Sequence, residues 1–236
     1  MRASSILVDS NFVCTEVIST FGVAPERVHT AYLGVSGDYR PRTAEETGAT
    51  LRGLDLAHGA YLLTLGTIEP RKNIAHVLEA YAGLPADIRE RYPLVVAGAH
   101  GWRASAMVSR LRQLVERGEI RFLGHVPGAM LPHLYAGAAL FVFPSRYEGF
   151  GLPPLEAMAS GIPVLASDRA SLPEVIGAAG MTLDAAQPDL TTAKIAVLLE
   201  DPARRAEMAA RGLARAAEFT WEACAAVASD AYRRAL

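Results

Sequence analysis

The sequence predicts an α/β fold, a Rossmann-like parallel sheet with helices on both faces. Three observations carry that prediction. Short apolar runs at 61–65, 94–97, 120–123, 139–143, 163–166 and 180–183 are each bounded by turn residues, the mark of buried strands. Helical patterns at 73–83, 104–117, 130–136, 154–160 and 172–177 fall between most of them, and strand–helix alternation means a parallel sheet covered on both sides. The chain has 236 residues, 51% hydrophobic and 20% charged, which is enough apolar material to bury one domain core with residues to spare.

Taken in order, residues 5 to 9 read as a short strand, and "SNFVCTEVISTFG" follows with apolar residues at helical spacing and Gly22 at its end. A second strand, Val28 to Leu33, passes into a Gly- and Pro-containing connection. Residues 41–59 are polar and read as a surface connection or short helix. The regular alternation begins at Tyr61, and helices at about 188–200, 202–217 and 221–235 close the chain. Ligands of such sheets bind beyond the carboxyl ends of the strands, so the loops after the strands hold the candidate chemistry.

Composition excludes several classes. A formal net charge of −2 gives no general field for nucleic acid or an anionic membrane, so membrane association is at most peripheral. Cys14 and Cys224 are the only cysteines and lie far apart, which argues against a disulfide framework or zinc ribbon and for a reducing, cytoplasmic location. No apolar run approaches about 18 residues, and no secretion signal is visible. The histidines lack metal-ligand spacing, and neither G-x-G-x-x-G nor G-x-S-x-G occurs, so Ser145 reads as part of a turn rather than a nucleophile.

Two loops stand out. In Gly66-Thr67-Ile68-Glu69-Pro70-Arg71-Lys72-Asn73, Asn73 suits a helix cap and two adjacent cations precede a helix N-terminus. That placement costs stability unless an anion neutralises them, which points to a diphosphate; the alternative is a solvated basic pair. The second stretch is "PSRYEGFGLPPLEAMASGIPV" at 144–164, where glycines and prolines bar regular structure but let backbone approach a ligand. Pro153 or Pro154 opens a helix of about two turns, and Gly161 with Pro163 ends it. Glu148 lies before the helix mouth and Glu156 in its first turn. Carboxylates there are poor phosphate ligands but good acceptors for sugar hydroxyls. The pattern fits a sugar–phosphate–ribose site, or else Glu156 complements the helix dipole and Glu148 caps a turn.

The Glu, seven residues, Glu spacing in that stretch resembles the signature of the retaining glycosyltransferase family 4, whose members have the two-domain GT-B fold. The resemblance implies that Glu148 contacts donor-sugar hydroxyls and that Glu156 holds the ribose, with Gly149, Phe150, Gly151 and Leu152 lying against sugar and diphosphate. The loop at 66–73 is similar to the family's phosphate loop: Lys72 matches its lysine, Thr67 replaces its arginine, and Arg71 is placed to supply the missing charge. Gly66 and Thr67 would then line the phosphates. Gly98, in "AGAHGWR", and His125, in "RFLGHVP", correspond to stretches that approach the base or sugar, although His125 is equally well read as a loop histidine. The connection near Leu33-Gly34-Val35-Ser36 matches the interdomain hinge loosely, and Phe219-Thr220-Trp221 matches the closing helix that crosses back toward the first domain.

The implied organisation is 1–40 as the last β-α unit of an acceptor domain with the hinge, 41–220 as the nucleotide-sugar-binding domain, and 221–236 as the C-terminal helix. On that reading most of the acceptor domain lies outside this chain; alternatively, residues 1–40 are an extra β-α unit of a single domain. The implied function is retaining transfer of a hexose, mannose among the candidates, from a nucleotide sugar to a glycan or lipid-linked acceptor. No cofactor is expected, the donor being GDP- or UDP-linked. Rival readings are a non-catalytic nucleotide-sugar-binding domain and a GT-B sugar-nucleotide epimerase.

Overall fold

A computed structural model describes residues 3–235. Near its start, β1 (Ile6–Val8) and β2 (Val28–Thr30) pair in parallel around α1 (Asn11–Phe21). Ser10 caps that helix by accepting from Val13 N, and left-handed Gly22 ends it, as a helix bounded by Ser and Gly should. The polar stretch after the Pro-containing connection folds as α2 (Ala44–Gly53), opened by a capping box between Thr43 and Glu46.

The larger sheet takes β3 (Leu62–Leu65), then, beyond α3 (Ile74–Ala82) and α4 (Ala86–Arg91), β4 (Leu94–Ala97). It continues through α5 (Ser105–Glu116), β5 (Ile120–Gly124), α6 (Leu131–Ala136), β6 (Leu140–Phe143), α7 (Leu152–Ala159), β7 (Val164–Ser167), α8 (Leu172–Ile176) and β8 (Met181–Leu183). The helices α9 (Pro188–Glu200), α10 (Pro202–Ala216) and α11 (Trp221–Ala235) follow. All pairings in this sheet are parallel, in the order β5-β4-β3-β6-β7-β8. Among the described α-helices, only α4 has no counterpart in the sequence pattern. Its Ile88 is buried, but six residues are too few to reveal a helical period.

Alternation along the strands sorts side chains to two cores. Leu63, Val95, Phe141 and Phe143 pack with α6, α7 and α8 on one face. Leu62, Val96, Leu140 and Val142 pack with α3, α5 and α9 on the other. With both faces covered, the central strands read as continuous apolar runs. The last helix lies against the small sheet: Ser5 Oγ donates to Ala231 O, and Cys224 Sγ reaches Ala31 O.

One topological feature positions the site. The chain runs outward from β3 through β4 to β5, then crosses back so that β6 lies on the other side of β3. At such a switch point the loops leaving neighbouring strands part and open a crevice beyond the strand ends. The loops concerned are those after β3 and β6, the two the sequence singles out. A tight contact fixes the first of them, since a Cβ on Gly98 would lie 1.9 Å from Gly66 O. Gly98→Ala should therefore lower unfolding stability by about 2 kcal/mol or more, read from a urea midpoint that falls at constant slope.

Candidate active site at the switch point between β3 and β6

After β3 the backbone passes Gly66 and makes a tight 3-10 turn, Pro70–Lys72, closed by Asn73 in the left-handed region with φ 55°. Asn73 does not cap α3 with its side chain, as the sequence suggested. Its Nδ2 instead donates to Pro144 O at 3.3 Å and Ala185 O at 3.1 Å, tying the β3 loop to the loops after β6 and β8. Two further bonds join the loops: Arg146 N donates to Arg71 O at 2.9 Å, and Ser145 Oγ lies 3.2 Å from the same carbonyl.

The turn thrusts Arg71 and Lys72 onto Glu148. Lys72 Nζ donates to Glu148 Oε1 at 2.7 Å, Arg71 Nη1 to Oε2 at 2.8 Å, and Ser145 Oγ to Oε1 at 2.6 Å. Arg71 also binds Glu69 Oε1 through Nη2 at 2.7 Å and Tyr147 O through Nη1 at 2.7 Å. Lys72 and Glu148 keep only 11% and 10% of their side-chain surface exposed and Arg71 keeps 38%, so the two cations are ion-paired rather than a solvated basic pair. The lysine's stem passes over Gly66, where an added Cβ would sit 3.4 Å from Cδ, and its ammonium lies 5.1 Å from the Phe143 ring centroid. The site thus joins two cations to two carboxylates, a balanced cluster that is desolvated around Lys72 and Glu148 and open to solvent at Arg71.

Beyond Glu148, Gly149 lies beside Asp9, and Phe150 turns its ring inward between Tyr32 and Phe219, with centroids 6.3 and 5.7 Å away. Only the backbone of Phe150 is therefore offered to a ligand. Gly151, at φ 121°, starts α7, and Leu152 is its half-buried first residue. Glu156 is the fifth helical residue, one turn deeper than the first-turn position expected for it. It faces the phenols of Tyr39 and Tyr135, and burial raises its carboxyl above the ordinary range, offset in part by those phenols. Tyr135 Oη is buried without a hydrogen-bond partner, and its ring meets Tyr39 edge-on at 5.6 Å.

The structure therefore brings together Arg71, Lys72, Glu148 and Gly66 in direct contact, with Gly149, Phe150, Gly151 and Leu152 continuing from them. Gly98 touches Gly66 through backbone packing, and its N–H donates to Gly124 O at 2.7 Å. Thr67 is exposed on the same loop, its methyl against Gly101. His125 is exposed after β5, two strands away from β3. Sequence reasoning passed over Glu69, Tyr39 and Tyr135. Glu69 had a signal, a carboxylate two residues from an arginine, but the two tyrosines meet Glu156 only through tertiary packing.

Comparison with known proteins follows this geometry. The family model "Glycosyl transferases group 1" matches residues 57–215, a span that contains both loops. The chain belongs to that family. It is 46% identical over 235 residues to the O-antigen chain mannosyltransferase B of Escherichia coli, covering 98% of this chain and 61% of the relative. It is 35% identical to the serotype-specific mannosyltransferase WbdA of Escherichia coli, covering 100% of this chain and 29% of that one. The chain thus spans less than two thirds of these relatives. Among solved structures, Anabaena Alr3699/HepE in complex with UDP and glucose aligns with TM-score 0.85 at 21% identity, over 97% of this chain and 62% of that one. WaaG, a glycosyltransferase involved in lipopolysaccharide biosynthesis, aligns with TM-score 0.80 at 20% identity, over 95% and 61%. These likenesses show the shared GT-B type of fold.

Two outcomes follow from the charges. An anion entering this site must compete with Glu148 for Arg71 and Lys72, so Glu148→Gln should bind inorganic pyrophosphate several-fold more tightly than wild type in calorimetric titration. Glu156 has a folded-state pKa raised above its unfolded value, so its ionisation costs stability as pH rises through the folded pKa, and none below the unfolded value. Glu156→Gln should accordingly raise the melting temperature at pH 8 relative to wild type. The gap should close as pH falls below the ordinary carboxylate range.

Proposed function

We propose that this chain forms the donor-binding part of a retaining hexosyltransferase that moves mannose from a nucleotide sugar to a glycan or lipid-linked acceptor. The observation that carries the reading is the contact of Glu148 with both Arg71 and Lys72 at the switch point, inside the segment matched by the family model. Mannose is favoured because the relatives at 46% and 35% identity are named mannosyltransferases. A nucleotide donor is supported by a structural neighbour described in complex with UDP-glucose.

In this reading the diphosphate takes over the two cations from Glu148. Lys72 and Arg71 then stabilise the negative charge that grows on the leaving phosphate, with the N–H groups of the 149–151 loop adding dipoles aimed at the same region. Glu148, released from its cations and still accepting from Ser145, turns its free oxygen to the sugar hydroxyls. Glu156 accepts from the ribose, with Tyr39 and Tyr135 behind it. Gly66 and Thr67 line the phosphates, and Gly98 and His125 mark the side on which the base would lie. No cofactor enters this scheme, the GDP- or UDP-linked donor being a substrate. Retention of configuration is part of the proposal and comes from the family resemblance, and no side chain is assigned as a base.

The deciding experiment is calorimetric titration of the 236-residue chain with UDP, GDP and ADP and with their sugar conjugates. One nucleoside diphosphate should bind, and its mannose conjugate should bind more tightly. Lys72→Ala should lose about tenfold or more in affinity for the diphosphate, in line with about 1.5–3 kcal/mol for a charge-assisted bond, while its affinity for the bare nucleoside stays the same. Failure of every nucleotide to bind would overturn the proposal, as would equal losses for nucleoside and diphosphate.

A further inference from the structure

The loop after β6 is held by two serines that play no part in the chemistry above. Ser10 Oγ donates to Gly149 O at 2.6 Å. Ser171 Oγ lies 2.6 Å from Phe150 O and 2.9 Å from Glu148 O and shares its single proton between them. Both residues are fully buried, at 0% exposure. Three consecutive carbonyls, those of Glu148, Gly149 and Phe150, are thereby fixed from inside the protein.

In a trans peptide the carbonyl and the following N–H point in opposite directions. Ser171 therefore sends the N–H groups of Gly149 and Gly151 away from itself, and Ser10 does the same for the N–H of Phe150. None of these three N–H groups has an acceptor among the described residues. A backbone N–H is a strong donor that seeks an acceptor, so three successive free ones beside a cation–carboxylate cluster are fit to bind an anionic or hydroxyl-bearing ligand.

The mount is itself cross-tied. Ser10 is the N-cap of α1 and accepts from Val13 N at 3.1 Å while donating to Gly149 O. Glu174, in α8 just after Ser171, accepts from Asn11 N at 2.8 Å, Phe12 N at 3.2 Å and Tyr32 Oη at 2.5 Å. The start of α1 and the start of α8 are thus bolted together, and the loop is gripped between them. Phe12 adds an edge-on contact to Tyr147 at 5.7 Å, and Tyr147 Oη donates to Glu16.

We propose that Ser10 and Ser171 are positioning residues that aim the backbone N–H groups of residues 149–151 at the donor's diphosphate and sugar. This rests on the donor-binding reading above and extends it to Ser10, which lies outside the segment matched by the family model. The test is a comparison of wild type, Ser171→Ala, Ser10→Ala and Ser10→Thr. Each alanine variant should bind the sugar nucleotide that the wild type prefers, GDP-mannose or UDP-mannose, about tenfold more weakly, with its affinity for the bare nucleoside intact. Ser10→Thr keeps both the hydroxyl and the cap and should restore binding. Amide 15N relaxation of the ligand-free chain gives a second readout that needs no ligand. Gly149, Phe150 and Gly151 should be as ordered as α7 in the wild type and lose order in both alanine variants. If the wild type binds no sugar nucleotide, the donor reading fails while the relaxation data still decide the positioning role. Unchanged loop order in the alanine variants would overturn the role, as would a nucleoside affinity that falls in step with that of the sugar nucleotide.

Discussion

The contact on which the site depends is the bridge from Glu148 to Arg71 and Lys72. It joins residues more than seventy positions apart, and it exists because β6 lies against β3 although β4 and β5 come between them in sequence. Burying a charge is costly unless it is paired, and each of these charges is paired by another from the opposite loop. The bridge therefore holds the two loops in register, and it keeps together the groups proposed to meet the donor. Removing Glu148 would leave the largely buried Lys72 without its ion-pair partner, so mutational loss of binding here has to be separated from loss of folding. That is why the comparisons above set nucleoside against diphosphate rather than relying on a single affinity.

Most of the sheet was legible because its strands are short, because the inner ones are apolar on both faces, and because glycines and prolines punctuate the chain between them. Both site loops were legible for the same reason: Arg71-Lys72 before a helix and Glu148 before Gly149-Phe150-Gly151 are local patterns. What stayed hidden was partnership. The cations read as anticipating a phosphate, and nothing local shows that Glu148 neutralises them in the free chain. Asn73 has the right residue type and place for a helix cap, but its amide spans to Pro144 and Ala185, a choice made by tertiary packing. Ser10 shows the same limit, since its cap to Val13 is written in the sequence and its bond to Gly149 is not.

Glu156 is the place where local rules and the fold conflict. A carboxylate at the fifth position of a short helix gains little from the helix N-terminus, whose influence fades within the first turn. Burial raises its pKa, and the nearby Tyr135 hydroxyl lacks a partner of its own. A carboxyl whose ionisation burial opposes and a buried phenol without a hydrogen-bond partner both cost stability, since buried polar atoms are seldom left unpaired in a folded core. Conflicts of this kind are expected where a structure serves a ligand rather than its own stability. A ribose offers hydroxyls that both donate and accept, so it can satisfy the carboxylate and a phenol together.

The loop at 148–151 has no stability of its own to speak of. Two of its four residues are glycines, its main aromatic side chain is spent on packing against Tyr32 and Phe219, and its carbonyls are held by Ser10 and Ser171. Those anchors come from α1 and from the turn before α8, and the carboxylate at its head is held by the turn after β3. Apart from the bond from Ser145 to Glu148, these contacts are long-range in sequence. Closing such separations costs chain entropy before any bond repays it, so the loop takes its shape only when the sheet and both flanking helices are already in place. Its geometry is thus a property of the assembled fold, which explains how a run of glycines that would otherwise be flexible can present its N–H groups in fixed directions.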